Sequence, residues 1–273
     1  MSLPPTFPGA TGLIITLLQV YMTATSFSTE TNAETRAKYS KFSQVPASNN
    51  DDSKNTTTWP SKLGMMVIYT PALLTSLIFL AMGNTKHALN IPSPTLATVF
   101  CAIHFSKRCL EVMFLHKYSG RTDRATPSAI GVYYALVAVL IAYGSDQTIN
   151  PSPEMTLVGT VVFAVGIMGN FYHHFLLAKL RTGNGSDGKS SKTKYVAPKG
   201  CLFSYVATPH YFFELIGWVG IAIVSNHLNV YLVLTTMASY LGGRSVAQNE
   251  FNRVKFDEKD WPRDRKNLIP FVF

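Results

Sequence analysis

The stretch Met155–Arg181, MTLVGTVVFAVGIMGNFYHHFLLAKLR, decides the class of fold. No Asp, Glu, Lys or Arg occurs from Met155 to Ala178, and this run exceeds the roughly 20 apolar residues that a helix needs to cross a bilayer. Lys179 and Arg181 follow directly. The pattern predicts a transmembrane helix that ends in a basic loop, and we therefore expect an all-α integral membrane protein.

The composition supports a membrane protein. The chain is 47% hydrophobic and only 14% charged, whereas a soluble domain carries about 25% charged residues. The net charge of +9 fits basic loops that face anionic lipid, or an anionic cofactor. No interleaved basic and aromatic patch is present, so we expect no nucleic-acid partner.

Apolar segments of spanning or near-spanning length recur along the whole chain. We expect about seven transmembrane helices, at residues 10–28, 63–82, 94–115, 127–145, 155–178, 206–224 and 228–243. Lys and Arg are concentrated in every second connection, namely 29–62, 116–126, 179–200 and the tail from Arg244. The positive-inside rule places these four stretches, and with them the C-terminus, in the cytosol.

The segment Thr182–Ser191, TGNGSDGKSS, contains both G-x-G-x-x-G and G-x-x-x-x-G-K-S. Such motifs bind phosphates only between a strand and the start of a helix. This segment instead follows a transmembrane helix and precedes a polar stretch that is broken by Pro198 and Gly200. We interpret it as a flexible linker, with no P-loop and no Rossmann domain.

Polar residues inside the spans are the candidate functional groups, because they are costly in lipid. Asn170, His174 and Arg181 fall on one helical stripe. The stripe suits a polar ligand with phosphates that enters from the cytosol, and it equally suits helix–helix hydrogen bonding with an interfacial Arg. His173 and His174 are the only adjacent histidine pair, which is too few for a membrane di-iron site, so we expect no metal.

Two further clusters lie within the spans. His210, Tyr211 and Glu214 converge on one side of a helix in PHYFFELIGW, where the carboxylate must be paired or accept hydrogen bonds. A functional site and a structural ion pair both remain open. Arg108 and Glu111 are spaced i, i+3, which predicts either an intrahelical salt bridge or a functional pair.

Four segments together resemble the steroid 5α-reductase family, which includes 3-oxo-5α-steroid 4-dehydrogenases and very-long-chain enoyl-CoA reductases. They are HFSKRCLEVMFLHKYSG, GNFYHHFLLAKLR, YVAPKGCLFSYVATPHYFFELIGW and the terminal WPRDRKNLIPFVF. The resemblance implies a multi-pass enzyme of the endoplasmic reticulum membrane. It would use NADPH to reduce a C=C bond conjugated to a carbonyl in a hydrophobic lipid, a steroid or an acyl-CoA, and it could have partners in lipid elongation.

The resemblance also implies site residues. Cofactor-binding positions of the family match Arg108, Asn170, Arg181, Tyr195, Glu214 and Arg244, and the stripe adds His174. Tyr211 matches a proposed proton donor of the enoyl-CoA branch, and Glu214 lies in the same pattern. The chain departs from the family at Tyr69, where steroid reductases carry a Glu, and at Gln248 and Asn252. Tyr69 is therefore a second candidate catalytic residue.

The predicted organisation has two parts. Residues 1–62 form a first span with a polar cytosolic loop, and residues 63–273 form the membrane reductase domain, with its most family-like half at about 155–273. Two other functions stay open. One is a lipid-binding or scaffold member without activity, because of Gln248 and Asn252, and the other is a membrane methyltransferase of the isoprenylcysteine type.

Overall fold

The computed structural model describes residues 4–39, 42–43, 58–82, 95–147, 151–182 and 196–273. Within them the chain forms seven α-helices. These are α1 (Gly9–Thr31), α2 (Ser61–Met82), α3 (Leu96–Leu110), α4 (Ala125–Gln147), α5 (Pro153–Thr182), α6 (Pro209–Ser225) and α7 (Leu228–Lys255). A π-helical turn, Glu111–Leu115, continues α3, and a 3-10 turn, Cys201–Ser204, precedes α6. Two short strands, β1 (Thr58–Pro60) and β2 (Arg121–Asp123), pair antiparallel.

The expected class of an all-α membrane protein is confirmed. Four of the described helices, α1, α2, α4 and α5, are long and apolar enough to cross a membrane, and α6 is a shorter apolar helix. The last helix differs from expectation, because α7 reaches Lys255 and not residue 243. Much of the polar second half is buried: Ser245, Asn249 and Asn252 are all at most 1% exposed. This half of α7 is therefore stabilised by contacts with the rest of the protein, and its low hydropathy did not predict that the helix would continue.

Contacts divide the described chain into two units. One comprises Met1–Pro5, Ala37–Pro151 and Val224–Val230, and the other comprises Thr6–Arg36, Ser152–Ile223 and Tyr231–Phe273. We call them the α2–α4 unit and the α5–α7 unit. The division into residues 1–62 and 63–273 stays a prediction.

Close helix packing positions the α2–α4 unit. α2 contacts both α3 and α4. A side chain at Gly131 of α4 would collide with the backbone of Val67 in α2, so only glycine allows this approach. The buried apolar residues of the unit include Ile68, Phe105 and Ile141. This packing holds the faces of α2 and α3 together.

The α5–α7 unit also uses small residues at helix contacts. A Cβ at Gly166 of α5 would collide with the backbone of Gly217 in α6. The helices α1 and α7 of the same unit share polar contacts, such as the hydroxyls of Thr23 and Thr236 at 2.9 Å. The tail beyond α7 folds back, and the Trp261 indole, which is 0% exposed, donates to Asn249 of α7 at 2.8 Å.

Candidate functional site

The first buried polar group lies where α5 meets α6, and we call it the α5–α6 cluster (Asn170, His174, His210, Tyr211 and Glu214). The Asn170 side-chain amide donates to the backbone carbonyl of His210 at 2.8 Å and to the Glu214 carboxylate at 3.4 Å. Asn170 is 1% exposed and Glu214 is 8% exposed. The expectation that Glu214 accepts hydrogen bonds is confirmed, with Asn170 as the donor.

The local sequence explains why these two helices approach so closely. Gly169 directly precedes Asn170 and packs on the ring of Phe213, which directly precedes Glu214. Any side chain at Gly169 would displace that ring and separate the amide from the carboxylate. At the start of α6, the Thr208 hydroxyl donates to the backbone carbonyl of Asn267 at 2.9 Å, which anchors the helix to the tail.

The aromatic members of the cluster pack against one another. The rings of His174 and His210 have centroids 5.3 Å apart, and the ring of Tyr211 lies 4.3 Å from that of His210. His174 is buried and Tyr211 is half-buried. His173 faces elsewhere, because its Nδ1 contacts the carbonyl oxygen of Gly169 at 2.7 Å and its ring stacks on Phe213. The predicted residues of α5 and α6 are thus brought together.

The second group is the α2–α3 cluster (Tyr69, Lys107, Arg108 and Glu111). Arg108 forms an ion pair with Glu111, and Lys107 Nζ lies 2.9 Å from the second oxygen of the same carboxylate. Arg108 also donates to the hydroxyl of Tyr69 at 2.6 Å, and its guanidinium lies 4.6 Å from the centre of that ring. Tyr69, Arg108 and Glu111 are all buried. The predicted i, i+3 salt bridge is therefore present, and it holds a tyrosine hydroxyl.

Arg244 lies in a third environment. Its guanidinium pairs with the carboxylate of Glu30 in α1 at 2.9 Å, and both residues are 2% exposed. Glu30 was not among the residues predicted from the sequence. A signal was present, because Glu30 is the one charged residue of α1 and Arg244 is the first charged residue of α7. Two isolated opposite charges in apolar helices favour a mutual ion pair.

For several predicted positions the structure describes fewer contacts or none. The backbone of Arg181 belongs to the end of α5, but its side chain lies outside the described residues, as do Tyr195 and the glycine-rich linker from residue 183. Gln248 and Asn252, where the chain departs from the family pattern, are both buried in α7. The amide of Gln248 donates to the side-chain oxygen of Asn252 at 3.2 Å.

The fold and these clusters define a class: a helical membrane protein with ionisable and amide groups held inside its hydrophobic helices, where such groups mark functional sites. Comparison with known proteins narrows the class. Residues 124–273, more than half of the chain, match the family described as 3-oxo-5-alpha-steroid 4-dehydrogenase. The chain belongs to this family.

Three relatives illustrate its range. The very-long-chain enoyl-CoA reductase of Dictyostelium discoideum is 25% identical over 71% of this chain and 64% of its own length. The human 3-oxo-5-alpha-steroid 4-dehydrogenase 1 is 25% identical over 78% of this chain and 81% of its own length. The polyprenal reductase of Xenopus tropicalis is 27% identical over 71% of this chain and 66% of its own length. The chain thus spans under two thirds of the first and third relatives, and the matched family is one of reductases and not of methyltransferases.

Proposed function

We propose that this protein reduces a carbon–carbon double bond conjugated to a carbonyl group in a lipid, with NADPH as the reductant. Family membership and the names of the relatives support the reaction class. The observation that carries the proposal is the buried pair of Asn170 and Glu214, which lies within the matched region. A carboxylate and an amide at most 8% exposed would be an expensive structural choice in a lipid-embedded helix pair.

The chemistry of this pair fits the carboxamide of a nicotinamide ring. A carboxamide offers two N–H donors and one carbonyl acceptor. Glu214 offers the carboxylate acceptor, and Asn170 would turn the N–H that now points to Glu214 at 3.4 Å towards the carbonyl of the carboxamide. NADPH supplies a hydride when it is bound. Glu214 and Asn170 would fix the orientation of the ring, and His174 would close the cluster from the side of α5. Correct orientation is a major part of catalysis in such a transfer.

The phosphates of the cofactor need cations. The resemblance nominates Arg108, Arg181 and Arg244, with Tyr195 as a further contact, and arginine suits phosphate because its planar fork forms two hydrogen bonds. Arg244 is less available for a phosphate, because its guanidinium already pairs with the carboxylate of Glu30. A phosphate at Arg244 would share that guanidinium with a carboxylate, so Arg181 is the better candidate for the larger contribution.

A tyrosine would donate a hydrogen bond to the carbonyl oxygen of the substrate. As negative charge develops on the carbonyl oxygen of the substrate, a hydroxyl donor in a water-poor site stabilises it. We assign this role to Tyr211, which lies one helical turn from Glu214 and packs on His210. Tyr69 is the rival candidate. Its hydroxyl accepts a hydrogen bond from Arg108, and such a bond strengthens the remaining O–H as a donor.

The substrate class has three candidates, because the relatives are named for a steroid, an enoyl-CoA and a polyprenal. The protein would lie in the endoplasmic reticulum membrane, with its C-terminus in the cytosol. It would have partners in lipid elongation.

One alternative function has a specific observation in its favour. Gln248 and Asn252 bond each other inside α7 where the family pattern has other residues, which fits a lipid-binding member without activity.

One assay tests the proposal. The full chain, purified in mild detergent, is mixed with NADPH and with an enone steroid, a trans-2-enoyl-CoA or a polyprenal, and NADPH oxidation is followed together with product mass. We expect oxidation with at least one substrate and a product two hydrogens heavier. Glu214→Gln should abolish turnover, whereas Glu154→Gln, which changes an exposed carboxylate in the first turn of α5, should not. Lipid binding without oxidation of NADPH would establish the alternative.

A further inference from the structure

Three arginines are held together where the tail folds back on the end of α7. Arg253 donates through Nη2 to the backbone carbonyl of Arg263 at 2.9 Å and to that of Arg265 at 3.4 Å. Arg263 in turn donates a hydrogen bond through Nη1 to the backbone carbonyl of Arg253 at 3.0 Å. We call this group the tail arginine cluster. None of its members is used by the proposed reaction.

The innermost member is a cation with few polar contacts. Arg265 is 7% exposed, and its guanidinium stacks over the ring of Trp261 at 3.8 Å. Its Nη1 reaches the backbone carbonyl of Pro198 only at 3.5 Å. The Nε donors of both Arg265 and Arg253 are buried without a hydrogen-bond partner. A buried N–H without an acceptor costs on the order of 1–3 kcal/mol, so an acceptor is missing from this place.

The charge of the cluster is also unbalanced. Across the part of the chain that the structure describes, no carboxylate forms a salt bridge with Arg253, Arg263 or Arg265. The nearby carboxylate of Asp260 is engaged by Lys199 at 2.6 Å. Burial lowers the pKa of Arg265, and the charge of Asp264 opposes that shift only in part. A buried cation of this kind requires a counter-ion.

From this arrangement we infer that the tail arginine cluster binds a phosphate group. Arginine forks match phosphate oxygens in geometry and charge, and an oxyanion would supply acceptors for the two buried Nε donors. Burial increases from exposed Arg263 through half-buried Arg253 to buried Arg265, so an anion would enter from the side of Arg263. The site belongs to the α5–α7 unit and is separate from the residues assigned to NADPH.

The phosphate could come from a lipid headgroup or from a soluble phosphate. Exposed apolar side chains accompany the tail: Tyr205, Phe271 and Val272 are 49%, 75% and 72% exposed. Tyr205 adjoins the cluster, because its carbonyl accepts from the backbone N–H of Lys266 at 3.0 Å. Exposed aromatic and aliphatic residues beside arginines suit a membrane surface, and the experiment separates the two sources.

The test is calorimetric titration of the full chain in neutral detergent with three probes: sodium phosphate, dioctanoyl phosphatidic acid and dioctanoylglycerol. We expect phosphatidic acid, inorganic phosphate or both to bind, and dioctanoylglycerol not to bind. Binding of phosphatidic acid alone identifies a headgroup site. Binding of both with equal affinity identifies a site for soluble phosphate. If neither phosphate probe binds, the inference is wrong.

Variants locate the binding. Arg265→Lys keeps the charge but removes the buried Nε, and it should weaken binding by about tenfold or more. Arg263→Gln changes an exposed residue, so it tests the site even if the Arg265 variant does not fold. Lys259→Gln removes one exposed positive charge from the same tail and should leave affinity within about twofold. Equal weakening by Lys259→Gln would overturn the inference, because it would show only general attraction to a basic tail. No readout uses turnover, so the outcome is independent of the proposed reaction.

Discussion

The two buried polar clusters differ in how their charges are balanced. The α2–α3 cluster gathers two cations, Lys107 and Arg108, around the single carboxylate of Glu111. The α5–α6 cluster has the carboxylate of Glu214 and no Lys or Arg, and it meets that carboxylate with the neutral amide of Asn170. One cluster therefore carries excess positive charge and the other holds a carboxylate by neutral hydrogen bonds.

This difference suggests different tasks. A positively charged group with a tyrosine hydroxyl suits the stabilisation of negative charge that develops during a reaction. A carboxylate supported by neutral donors suits the binding of N–H groups, such as those of a carboxamide. The difference also predicts different costs of substitution, because a buried carboxylate loses more when a close charged partner is removed than when one neutral hydrogen bond of 3.4 Å is removed.

The largest expected effect is on stability in the α2–α3 cluster. Arg108→Met removes the guanidinium that pairs with the buried carboxylate of Glu111, and we expect the free energy of unfolding to fall by about 3–5 kcal/mol. Asn170→Leu in the other cluster should cost about 1–3 kcal/mol. Chemical denaturation in detergent measures both. Adding Glu111→Leu to Arg108→Met should restore much of the loss, and a double variant as unstable as the single one would contradict this account of the pair.

The next effect separates the two tyrosines. Tyr211→Phe should lower kcat by about 10²–10³-fold, because its hydrogen bond strengthens as charge develops, and Tyr69→Phe should change kcat far less. Steady-state kinetics with the best substrate of the panel measures both. Each variant keeps the ring, so packing on His210 or under Arg108 is preserved. The opposite result would move the donor role to Tyr69 and to the positively charged cluster.

A smaller effect concerns the phosphates of NADPH. Arg181→Ala should raise KM for NADPH by about tenfold, which corresponds to about 1.4 kcal/mol, and leave kcat almost unchanged. Lys179→Ala removes an equal charge from an exposed position two residues earlier and serves as the control. Comparable increases in KM for both variants would mean that Arg181 acts only through the general charge of the loop.

The smallest effect comes from a buried group outside both clusters. His227 is 0% exposed, and burial lowers its pKa to about 4. The unfolded chain has a histidine pKa near 6.5, so it binds the proton first, and stability falls as pH decreases from about 6.5 towards 4. Between about pH 6.5 and 5.5 we expect a loss of about 1 kcal/mol.

Denaturation at a series of pH values measures this dependence. His227→Gln should remove the slope, whereas His116→Gln should keep it. A slope that persists without His227 would contradict this assignment and would mean that another group carries the pH dependence.

The sequence by itself determined the features that depend on neighbours along the chain. Uncharged runs of spanning length fixed the membrane class and most helix positions, since lipid requires an apolar helix of a set length. The i, i+3 spacing of Arg108 and Glu111 fixed their ion pair, because helical periodicity places such residues on one face. A lone carboxylate in an apolar segment required a hydrogen-bond donor for Glu214, although the spacing alone did not identify which donor.

Only the tertiary structure decided the contacts between distant segments. Asn170 became the donor to Glu214 because Gly169 lets α5 approach the ring of Phe213. Arg244 found its partner in Glu30, 214 residues away, and no local periodicity connects the two. The second half of α7 remained helical because its polar side chains are buried against protein. Such pairings depend on which helices pack together, and apolar periodicity specifies a buried face without naming the partner that covers it.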